Sequence, residues 1–102
     1  MSRRAVAYAL CAPNATTSAV LGREADLRAV ALLSDYEVTA FLYDAPETSS
    51  DPERPGLAKA VDVMRFGGAD ALLATGPSGM VMNATNPAAV RDVVRQFAPY
   101  GL

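Results

Sequence analysis

Histidine and tryptophan are missing from this sequence, and cysteine and lysine occur once each, as Cys11 and Lys59. Without histidine there is no Ser-His-Asp or Cys-His arrangement and no imidazole to hold a metal ion. A single cysteine excludes an intramolecular disulfide and a zinc ribbon. No apolar run approaches the ~20 residues that span a bilayer. Positive charge is scarce as well: nine Lys and Arg stand against eleven Asp and Glu, a formal net charge of −2. A non-specific nucleic-acid binder gains most of its affinity by neutralising phosphates, so this balance argues against one.

What remains is the composition of a folded domain. The chain has 102 residues, 51% of them apolar and 20% charged, which suits one modest core and leaves no length for a second. The expectation is a single domain over residues 1–102, with no C-terminal DNA-binding domain, no metal and no cofactor. Arg3-Arg4 precede the weakly apolar stretch Ala5 to Ala12, where four of eight residues are Ala. This stretch reads as a first strand rather than the apolar part of a secretion signal. With one cysteine and no signal, a cytoplasmic location is expected.

The pattern alternates strand with helix. Arg4 to Cys11 reads as a strand with Val6, Tyr8 and Leu10 on one face and Ala5, Ala7, Ala9 and Cys11 on the other. Small residues on one side suit a close helix, so both faces are expected to be covered. After Pro13-Asn14, Ser18 is placed to cap a helix running to about Leu33, its stripe formed by Val20, Leu27, Val30, Ala31 and Leu33. Glu37 to Tyr43 reads as the second strand, and Asp44 to Pro55 as a long polar loop. A second helix runs from Pro55 to Phe66, burying Leu57, Val61 and Met64, and stops at Gly67-Gly68. Asp70 to Ala74 is a buried third strand, and Thr85 or Asn86 caps a last helix carrying Val90, Val93, Val94 and Phe97. The order β-α-β-α-β-α predicts an α/β three-layer sandwich around a small, mainly parallel sheet.

In such sheets ligands sit beyond the carboxyl ends of the strands. A crevice near Cys11, Asp44 and Ser78 is therefore the candidate small-molecule or nucleotide site. Cys11 is the one strong nucleophile, but no assured base stands beside it, and a buried structural thiol is the plainer reading. Gly76-Pro77-Ser78-Gly79 matches neither the Walker nor the dinucleotide pattern and reads as a turn. Asp44, Glu47, Asp51 and Glu53 share one loop and read as a solvated face rather than a metal cage. A receiver domain needs acidic residues at the ends of the first and third strands, where this chain has Ala12 and Thr75. Arg91 and Arg95 lie one helical turn apart, with Asp92 between them, and read as a solvated face.

One segment has greater specificity: Asp51-Pro52-Glu53-Arg54-Pro55-Gly56-Leu57, then a helix, two Gly and Ala69-Asp70-Ala71-Leu72-Leu73. It resembles the resolvase/invertase family of serine recombinases, in which an Arg-x-Gly-Leu step opens a helix leading into an apolar strand. Tyr8-Ala9 falls where the family has Tyr-Ala before its Arg-Val-Ser motif, and Tyr36-Glu37-Val38 resembles the start of the family's second strand. The likeness runs along nearly the whole chain in order and spacing.

The resemblance implies a resolvase-like fold and, by its departures, no strand exchange. That chemistry needs a Ser hydroxyl aimed at phosphorus and Arg residues to neutralise the developing charge. The nucleophile position holds Ala12 and the preceding Arg position holds Leu10. The family's Ser-Leu-x-x-Gln reads Ala19-Val20-Leu21-Gly22-Arg23, and its Leu-Asp-Arg-Leu-x-Arg falls on Pro77-Ser78-Gly79-Met80-Val81-Met82. Arg54 alone carries over, as a vestigial position. The expectation is a pseudoenzyme with no catalytic residues: a protein-interaction or regulatory module linked to DNA recombination or transcription. Its partner would be a second copy, a related recombinase or a regulator. Two alternatives stand beside it: the crevice as a nucleotide-binding site, and a DNA-associated accessory protein with weak contacts through Arg3, Arg4 and Arg54. Self-association is expected through Met80, Val81 and Met82, taken as a loop beside the bare edge of a three-stranded sheet.

Overall fold

The computed structural model describes residues 3–12, 15–45, 55–76, 81–85 and 89. Its elements are β1 (Arg3–Leu10), α1 (Thr17–Leu33), β2 (Tyr36–Asp44), α2 (Pro55–Arg65), β3 (Ala71–Thr75) and β4 (Val81–Ala84). The strands form one mixed sheet in the order β2-β1-β3-β4. β1 runs parallel to both neighbours, and β4 runs antiparallel to β3.

The period-two alternation of β1 decides the layers. Val6, Tyr8 and Leu10 join Leu57 and Ala60 of α2, together with Ala69, Leu72, Ala74 and Ala84. Ala5, Ala7, Ala9 and Cys11 join Val20, Leu27 and Ala31 of α1, together with Leu73. α2 thus packs on one face and α1 on the other, and β1 and β3 are buried on both, as strands flanked by helices require.

Local chemistry sets the helix ends. Thr16, not Ser18, caps α1: its hydroxyl accepts the Ala19 N–H at 3.1 Å. The stripe that packs is Val20, Leu27 and Ala31, whereas Leu33 is 88% exposed. Leu33 is the last residue of α1, and Asp35 turns the chain away with a φ of 60°. α2 ends in a Schellman closure. Gly68 N–H reaches Val63 C=O at 2.8 Å, Gly67 N–H reaches Met64 C=O at 3.4 Å, and Gly67 takes a φ of +81°. Leu57 is buried as expected, and Val61 and Met64 pack half-buried against the same cluster.

β2 carries a bulge. Val38 pairs with Ala5 and Ala40 with Val6, so Thr39 has no partner in the ladder. The extra residue shifts the alternation, so that Val38 and Phe41 both face α1 while Ala40 and Leu42 face α2.

Among the described residues the sheet has four strands rather than three. Val81 and Met82, expected in a loop, lie in β4 opposite Thr75 and Ala74. A short connection from β3 cannot reach a parallel position, so the chain doubles back and satisfies the backbone of β3 on its outer side. Thr85 forms a bend, and of the helix expected beyond it Ala89 alone is described, helical and packed against the α2-side cluster. Arg54, Ser78, Met80, Arg91 and Arg95 lie outside the described residues. No helix among the described residues is long and apolar enough to cross a membrane.

Candidate functional site at the strand ends

Three described strand ends meet at the carboxyl side of the sheet: Cys11-Ala12 after β1, Asp44 closing β2, and Thr75-Gly76 closing β3. Cys11 and Asp44 are adjacent through their backbones, the Cys11 N–H donating to the Asp44 carbonyl at 2.8 Å.

Their side chains part company. Leu10 and Asp44 are ladder partners, so the Asp44 side chain shares the α2 face with Leu10 and Tyr8. The Cys11 side chain packs in the cluster on the α1 face. The sheet stands between the thiol and the carboxylate.

Asp44 is 8% exposed and belongs to β2, which corrects its assignment to a solvated loop face. Its two carboxylate oxygens are engaged. Oδ1 accepts the Gly56 N–H at 2.8 Å, while Oδ2 accepts the Leu57 N–H at 3.0 Å and the Tyr8 hydroxyl at 2.7 Å. The first N–H groups of a helix have no partner within it, and an anion there also meets the positive end of the helix dipole. Asp44 therefore caps α2 from the neighbouring strand and gives the buried Tyr8 hydroxyl its acceptor. The close approach needs Gly56, since a Cβ at that position would lie 2.5 Å from the Tyr43 carbonyl oxygen.

Cys11 is 5% exposed and borders a cavity of about 150 Å³ lined also by Ala12, Ala15, Ala19 and Arg23. Burial pushes its thiol pKa up, the Arg23 guanidinium opposes this, and the negative charge of Asp44 adds to it. The outcome is a thiol held protonated, the opposite of what a nucleophile needs. Ala12, next in the chain, is exposed and offers no oxygen. Thr75 is buried, with its hydroxyl donating to the Gly76 carbonyl at 3.3 Å. Among the described residues no group of three or more Cys, Asp or Glu is placed to hold a metal ion.

Of the sequence candidates, the structure thus brings Cys11 and Asp44 together by backbone only. The Tyr8–Asp44 pair was not foreseen. Its signal was a tyrosine on the bulky face of a central strand, since a buried phenol requires a hydrogen-bond partner. Two further hollows flank β2: one of about 350 Å³ between α1 and the Phe41–Tyr43 ring pair, and one of about 280 Å³ beside Gly56 and Lys59. Comparison with protein-family models, curated proteins and solved structures finds no match for this chain.

Proposed function

We propose that the chain is a catalytically inactive, resolvase-like domain acting as a protein-interaction or regulatory module in the cytoplasm, linked to DNA recombination or transcription. The observation that carries this reading is Ala12. It stands exposed at the carboxyl end of β1, at the position the resemblance gives to the nucleophilic Ser, and it has no oxygen to attack phosphorus. The neighbouring Cys11 is no substitute, because its thiol is buried and its pKa raised. Asp44, the other candidate there, is committed to Tyr8 and the start of α2.

The partner in this reading is a second copy of the chain, a related recombinase or a regulator. Self-association would use β4, the outermost described strand beyond β3, which begins at Val81 and Met82, together with Met80, which precedes them in the sequence. A symmetric pair would let one such edge cover its copy.

Incubation with supercoiled DNA tests the central part. The reading expects no nicking and no covalent protein–DNA adduct, and one reproducible adduct mapped to this chain would overturn it. Sedimentation at micromolar concentration tests the partner: a dimer is expected, weakened by Met80→Glu with Met82→Glu. A monomer of 10.7 kDa at every concentration would remove self-association and leave a heterologous partner.

A further inference from the structure

We draw no further inference here: the strongest candidate, the groove of about 350 Å³ between α1 and β2 lined by Val20, Leu21, Phe41 and Tyr43, carries none because nothing in the structure shows what covers it.

Discussion

On its α2 side the sheet presents Val6, Tyr8 and Leu10 from β1, and the helix is fastened by hydrogen bonds that its first-turn N–H groups donate to Asp44. On its α1 side the same strand presents Ala5, Ala7, Ala9 and Cys11, so that over β1 the helix meets side chains too small to interlock deeply. The α2 face is specified by large side chains of β1 and the buried hydrogen bonds at Asp44. The α1 face is specified by closeness, and the cavity beside Cys11 and the groove beside Phe41 both open there. The two strand-end residues with chemical potential are divided between these regimes. Asp44 is spent on fastening α2, and Cys11 is covered by α1. The difference explains why a carboxylate and a thiol joined by a backbone hydrogen bond do not make a common site.

The largest effect is expected from unfastening the α2 face. Asp44→Ala removes the acceptor of the Tyr8 hydroxyl and of two N–H groups of α2, and should destabilise the fold by about 4 kcal/mol. Denaturant titration measures it. A loss below about 1 kcal/mol would mean that α2 does not depend on this cap.

Overpacking the opposite face comes next. Ala7 is fully buried toward α1, and Ala7→Leu should cost about 2 kcal/mol by forcing the helix outward. The volume-conserving Leu72→Met on the α2 side should cost less, below about 1.5 kcal/mol. Equal losses from the two would erase the contrast between close and interlocked packing.

The smallest effect concerns Cys11 and alkaline pH. Its pKa is raised in the folded state, so as pH climbs past the ordinary thiol value of about 8.5 the unfolded chain loses its proton first. The folded state then binds more protons than the unfolded one, and stability falls with rising pH. Cys11→Ala should flatten that decline between pH 8 and 10, as read by thermal melts across the range; an unchanged slope would show that the thiol is not protected.

Much of the fold was legible because period two and period 3.6 leave different marks. The split of β1 into a bulky and an alanine face follows from its sequence, and so does the stop of α2 at Gly67-Gly68. Three features were less legible, each for a physical reason. Asp44 looks like the first residue of a polar loop, and only the arrival of the α2 N-terminus makes burying it favourable. Val81-Met82-Asn83-Ala84 is too short to declare a strand by itself and becomes one by pairing with β3. The bulge at Thr39 depends on the register with β1, which local pattern does not encode. At the site, the burial of Cys11 could be read from the sequence, but its separation from Asp44 required the sheet geometry.

The claim that Asp44 serves the fold rather than chemistry is tested most directly by a double-mutant cycle on Tyr8 and Asp44, with stabilities taken from denaturant unfolding. If the 2.7 Å contact is a buried, charge-assisted bond, Tyr8→Phe should cost about 1.5 kcal/mol in the native background. It should cost clearly less once Asp44 is replaced by Ala, since the carboxylate that the hydroxyl donates to is then gone. Additive losses, agreeing within about 0.5 kcal/mol, would show the two groups to be uncoupled and would contradict the account.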